Sequence, residues 1–273
     1  VTLEGCARAC LLQGVWAGAA CLCAAVLLSP WSAAGGLIGG MVFVGLGMVF
    51  GQDRKTWKSG LGSYDGVILG LLWGGVLSEG EAPALLFPLA LLGGLTLQRP
   101  LHRLFSQLAL PPLAMPGLAA VWLCDAVFVV FGEQFWIHPG PSLLGTPGEI
   151  AAIVIIVAMA ARCSPRGAVM AVLLATVAAV LSGLWYKVDD GIGPPSLWAI
   201  TVAPAVYAVA GVILPVGRRA ALTGLFAGLI GTIIWFGWLA VPGLASIPPL
   251  LAPLFLAVWS ALWVATGEDR RVL

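Results

Sequence analysis

Charged side chains are scarce in this sequence: Asp, Glu, Lys and Arg make up 9% of its 273 residues, against 60% hydrophobic residues. A water-soluble globule of this size needs far more polar surface to coat it, so a soluble fold is excluded and the chain reads as an integral membrane protein. The formal net charge is only +1, and no basic run marks a nucleic-acid partner. Residues for covalent chemistry are equally thin. No nucleophile, metal cluster or carboxylate pair stands at catalytic spacing, so neither an enzyme nor a cofactor is expected. The six cysteines, at positions 6, 10, 21, 23, 124 and 163, lie mostly in apolar sequence, where they act as small hydrophobes and not as a disulfide framework. Cys6 and Cys10 have i, i+4 spacing, yet no histidine stands near them to complete a metal site. Residues 1 to 13 contain Glu4 and Arg8 and show no signal-peptide cleavage pattern.

What is abundant is long apolar sequence. Runs punctuated by Gly, Pro or charge fall at about residues 14 to 29, 35 to 51, 65 to 77, 83 to 98, 104 to 123, 148 to 161, 167 to 186, 196 to 215, 220 to 240 and 247 to 265. They predict ten transmembrane helices, several of them shorter than the roughly 20 residues that cross a hydrocarbon core unaided. With the N-terminus inside, Arg54, Lys55, Lys58, Arg99, Arg103, Arg162, Arg166, Arg218, Arg219, Arg270 and Arg271 all fall on one face. Only Arg8 and Lys187 fall elsewhere, while Glu79, Glu81, Asp189 and Asp190 lie in outer loops. That asymmetry fits a multi-pass protein of the cell inner membrane with both termini cytoplasmic.

Part of the sequence is written twice. LPPLAMPGLAAVWL (110 to 123) and IPPLLAPLFLAVWS (247 to 260), 137 positions apart, share Pro111/Pro248, Pro112/Pro249, Leu113/Leu250, Pro116/Pro253, Ala120/Ala257, Val121/Val258 and Trp122/Trp259. LSPWSAAGG (28 to 36) has a weaker echo in CSPRGAVMA (163 to 171) at an offset of 135. Five spans per half, an odd number, turn the second copy upside down in the membrane, and inverted repeats place a solute pathway at their interface near the midplane. The prolines, lacking amide hydrogens, are expected to open helices and free carbonyl oxygens, an acceptor ladder suited to a neutral solute rich in N–H donors. The alternative is that they only kink helices for packing.

Four stretches, taken in order, carry a family resemblance. GCARACLLQGVWAG (5 to 18) is similar to a first pore half-helix running into a first span, and LLSP (27 to 30) to the end of that span. SGLGSYDGVILGL (59 to 71) is similar to the pattern G-L-Y-G-[FY]-N-G-x-L, and both proline blocks are similar to L-P-x-L-T-x-P-F-x-x-x-x-W-L. In this order and spacing the chain resembles the urea transporter family over nearly its whole length, most closely at 5 to 123 and 220 to 263. The resemblance implies an all-α integral membrane fold of ten transmembrane helices plus two re-entrant half-helices, in two inverted five-helix repeats at 1–123 and 124–273. It also implies a homotrimer in the lipid bilayer whose protomers each hold a narrow pore for urea-like solutes.

Carried over position by position, the resemblance places the pathway at Arg8, Gln13, Tyr64, Asp65, Leu113, Ala114 and Pro116 in the first copy. In the second copy it falls at Glu133, Gln134, Ser196, Leu250, Leu251, Pro253 and Phe255. The family's threonine falls at Ala114 and Leu251, its asparagine at Asp65 and its half-helix glutamine at Arg8, so an amide is replaced by a charge at two places. Arg8 and Asp65 either meet as a buried pair or face the solute singly. Phe255 and Trp235 are candidates for aromatic slots. The expected function is passive passage of a small polar, planar nitrogenous solute, urea or a urea-like amide. The alternatives are a proton-coupled or charge-selective transporter of a small ion or other metabolite, and a membrane subunit of a larger complex.

Overall fold

The computed structural model describes residues 1–51, 60–78, 86–108, 110–111, 113, 115–130, 147–186, 202–215, 217–241 and 251–266. Among these the chain forms eleven helices and no strand. They are α1 (Thr2–Ala9), α2 (Val15–Leu28), α3 (Pro30–Val49), α4 (Leu61–Ser78), α5 (Leu86–Gln107), α6 (Met115–Val130), α7 (Pro147–Cys163), α8 (Pro165–Tyr186), α9 (Val202–Ile213), α10 (Arg218–Ala240) and α11 (Ala252–Thr266). Two stretches, Pro30–Val49 and Arg218–Trp238, are long and apolar enough by length and composition to cross a membrane.

The run expected at 104 to 123 is not one helix. α5 continues through Pro100 to Gln107, and the next helix starts only at Met115. The prolines explain the difference, because Pro116 sits at the second position of α6 and Pro253 at the second position of α11. There a missing N–H leaves no intrahelical bond unmade. Pro116 and Pro253 therefore begin helices instead of breaking them. The weaker echo behaves alike in both places: Ser29 precedes Pro30 of α3 and Ser164 precedes Pro165 of α8, with Ala33 N donating to Ser29 O and Ala168 N to Ser164 O. Ser29 also caps α3 with its side chain, Oγ accepting from Ser32 N at 3.2 Å.

Helix contacts divide the described residues into two compact units, one formed by α1 to α6 with α7 as far as Met159, the other by those from Ala160 through α11 together with Leu110 and Pro111. The first is organised by α3 and α4, which run antiparallel with their backbones touching. A Cβ on Gly35 would stand 2.2 Å from Gly70 O, one on Gly39 2.2 Å from Gly66 O, and one on Gly74 2.2 Å from Trp31 O. Spacing of four residues on each helix puts these glycines on one stripe, the small-residue pattern that lets membrane helices pack without side chains between them. Phe43, Val67, Leu69 and Trp73 fill the flanks of the crossing and are buried.

α1 is wedged beside this pair. Gly5 leaves room for Ser63, whose Oγ donates to Val1 O and Gly60 O, and Gly18 of α2 leaves room for Leu3 O. The end of α1 is a Schellman turn: Leu12 N donates to Ala7 O and Leu11 N to Arg8 O. The left-handed position of that turn, where glycine is usual, holds Leu11 at φ 60°. Glu4 Oε1 then accepts from Gly14 N, tying the start of α2 back to α1.

In the second unit α10 packs on α11, with Ala227, Ala257, Val258 and Ala261 buried and Gly231 facing Ala257. α9 ends in a π-turn over Ala208–Ile213, where Gly211 meets Gly167 of α8. Tyr207 Oη donates to Ala160 O at 3.2 Å.

Gly39→Val is expected to lower stability by about 1–3 kcal/mol or more, because its Cβ collides with unyielding backbone. Gly45→Ala, an exposed helix position with nothing within 4 Å of its Cβ, is expected to be neutral or slightly stabilising. Melting temperatures of the detergent-solubilised variants check both; equal effects would remove the close crossing as the organiser.

Candidate functional site

The polar centre of the first unit lies at the start of α4. Gly60, at φ 79°, turns the chain into this helix and packs on Glu4, and Ser63, Tyr64 and Asp65 follow within its first five residues, all buried. Asp65 is 0% exposed. Its Oδ2 accepts from Gln98 Nε2 of α5 at 3.0 Å. The backbone N–H of Gly117, in the first turn of α6, faces the same carboxyl. Gly117 can come this close because it lacks a side chain; a Cβ there would stand 3.1 Å from Asp65 O. Among the described residues Oδ1 has no hydrogen-bond partner.

Arg8 and Asp65 do not pair. Asp65 takes its hydrogen bond from Gln98, whereas Arg8 sits half-buried in the last turn of α1 with Nε lacking a partner. At that position its charge complements the carbonyl end of the α1 dipole. Gln13 is exposed in the turn before α2. Leu113 is half-buried with φ 46°, and Pro116 is buried. The structure thus gathers Tyr64, Asp65 and the start of α6 around one buried carboxyl, while Gln13 points elsewhere.

In the second unit Leu251 is half-buried and Pro253 and Phe255 are buried at the start of α11. The Phe255 ring lies 6.1 Å from that of Trp259, tilted by 39°. Trp259 Nε1 donates to Pro111 O at 2.7 Å. One carbonyl of the first proline block thus has a side-chain donor. Ala114, Glu133, Gln134, Ser196 and Leu250 lie outside the described residues.

Gln98 was invisible to sequence reading because, in LLGGLTLQRP, it looks like the polar end of an apolar run. Only the continuation of α5 to Gln107 puts it inside a helix, level with Asp65. Nothing in the sequence singles out Glu4 or Ser63 for the contacts they make. For Trp259, its recurrence as Trp122 in the repeat was the available signal.

The family model for urea transporters matches residues 1–139, which include α1 to α6, the first proline block and every group around Asp65. The chain belongs to the urea transporter family. It is a membrane transport protein of the urea-transporter type, and the members of this family are transporters and not enzymes. No curated protein matches the chain. Within this urea-transporter chain the carboxyl is the group whose surroundings are most demanding, since a buried acceptor left short of donors costs about 1–3 kcal/mol.

Gln98→Leu is therefore expected to destabilise the protein by about 1–3 kcal/mol, and adding Asp65→Leu is expected to recover much of that loss, because removing both partners leaves nothing unsatisfied. Thermal unfolding of the two single variants and the double variant measures the coupling. Strict additivity would mean that the two side chains do not interact.

Proposed function

We propose that this chain is a passive pathway for a small polar, planar nitrogenous solute, urea or a urea-like amide, built as two inverted five-helix repeats, residues 1–123 and 124–273. In this reading ten spans and two half-helices form each protomer of a homotrimer in the cell inner membrane, with both termini cytoplasmic. The pathway would run past Arg8, Tyr64, Asp65, Leu113, Ala114 and Pro116 in the first repeat. In the second it would run past Glu133, Gln134, Ser196, Leu250, Leu251, Pro253 and Phe255.

The observation that carries the reading is α1. Its eight residues rise only about 12 Å, less than half of the roughly 30 Å hydrocarbon core, and it ends in a closed turn. Within a membrane such a helix end is tolerated where it is covered by protein or borders an aqueous cavity, because its last carbonyls need partners. Passive passage asks only for weak binding at several places, so that the solute leaves as readily as it enters.

A coupled transporter is the second reading, and the fully buried Asp65 carboxyl is what favours it. Stopped-flow measurement on proteoliposomes with urea, short amides and formate separates the two. Flux that is unsaturated and indifferent to a proton gradient is expected for the pathway. Gradient-dependent uptake abolished by Asp65→Asn would establish coupling, and no flux of any solute would sink the pathway reading.

A further inference from the structure

The surroundings of Asp65 carry an inference about cargo, which rests on the reading that a solute passes along the first unit. Two groups face its carboxyl, Gln98 Nε2 at 3.0 Å and the Gly117 N–H, and both are donors, matched to the acceptor-only oxygens of a carboxylate. Gly117 belongs to the first turn of α6, and a helix amino end presents about half a positive charge. This offsets part of the carboxylate's charge and no more. Among the described residues Oδ1 lacks a partner, and Arg8, the cationic residue of α1, makes no pair with the carboxyl. The side chain is 0% exposed, so a solute reaches Oδ1 by displacing the groups packed over it.

A buried carboxyl held by neutral donors alone either keeps a proton or needs a compensating cation, since an unpaired charge in a low-dielectric interior is a costly deficit. A solute that brings a positive charge and in-plane N–H groups removes it, because guanidinium-type N–H pairs match carboxylate geometry. Urea has the same planarity and nearly the same size but carries no charge. It can satisfy Oδ1 and still leave the charge uncompensated. We propose that Asp65, positioned by Gln98 and Gly117, is a binding station for a planar organic cation of the guanidinium or amidinium class, which this chain passes in preference to neutral urea.

Guanidinium and urea form a matched pair for the test, since shape is held nearly constant while charge changes. In proteoliposomes of the wild-type protein, guanidinium flux is expected to exceed urea flux about tenfold or more, the scale of one charge-assisted hydrogen bond. Asp65→Asn is expected to abolish that preference, and thermal unfolding of the detergent-solubilised variant reports independently that it is folded. A measurement without any variant is the inhibition of wild-type urea flux by guanidinium, expected at concentrations about tenfold below those at which acetamide inhibits. Urea flux without guanidinium preference, an unchanged ratio in Asp65→Asn, or equal inhibition by guanidinium and acetamide would overturn the cation station alone. If neither solute crosses in the wild type, the pathway reading falls and this inference falls with it.

Discussion

The first unit depends on the absence of side chains where α3 meets α4. Gly35, Gly39, Gly66, Gly70 and Gly74 bring two backbones into direct contact, and that distance fixes where the first turn of α4 stands. From this crossing follow the burial of Asp65, the reach of Gln98 to its carboxyl and the seat of α1 on Ser63. In a lipid environment no hydrophobic effect pulls helices together, so close packing and internal hydrogen bonds have to hold them. Glycine supplies the first here and the buried polar groups supply the second.

The two compact units answer the problem of helix ends in related ways. Arg99 Nη2 donates to Phe50 O at the end of α3, and Arg219 Nη2 donates to Ala265 O near the end of α11. Ser-Pro pairs open α3 and α8, and a proline at the second position opens both α6 and α11. Each device serves a backbone group that has no intrahelical partner. The left-handed Leu11 and Leu113 are the exceptions, two side-chain-bearing residues held where glycine is the easier choice. Both stand beside the parts of the chain that we assign to solute passage, where strain of about 1–3 kcal/mol persists only because surrounding contacts impose it.

Composition and run length were enough to read the helical class and the membrane setting, and the order of motifs was enough to read the family. The positions of most helices were also legible, because Ser-Pro and Gly punctuate them. What misled was proline: its two consequences, breaking a helix or starting one, look identical in LPPLAMPG, and only the position of the first helical hydrogen bond distinguishes them. The site was half legible. Asp65 was legible through the family motif, where it stands in place of the asparagine, but its partner Gln98 was not, since the contact spans 33 residues and depends on α5 continuing past Arg99. Charge alone leaves open whether Arg8 pairs with Asp65 or faces the solute singly, and the structure places Arg8 in the last turn of α1 without that pair.

The glycine crossing and the Trp259 hydrogen bond also differ in time. Everything that α3 and α4 need from each other is present once residue 78 has been synthesised, with residues 79–273 still to come. Contacts so local in sequence close quickly, so this hairpin can settle while the rest of the chain is still on the ribosome. The Pro111 carbonyl has the opposite history. Its partner Trp259 lies 148 residues downstream, so in the growing chain that oxygen waits without this hydrogen bond until α11 is made.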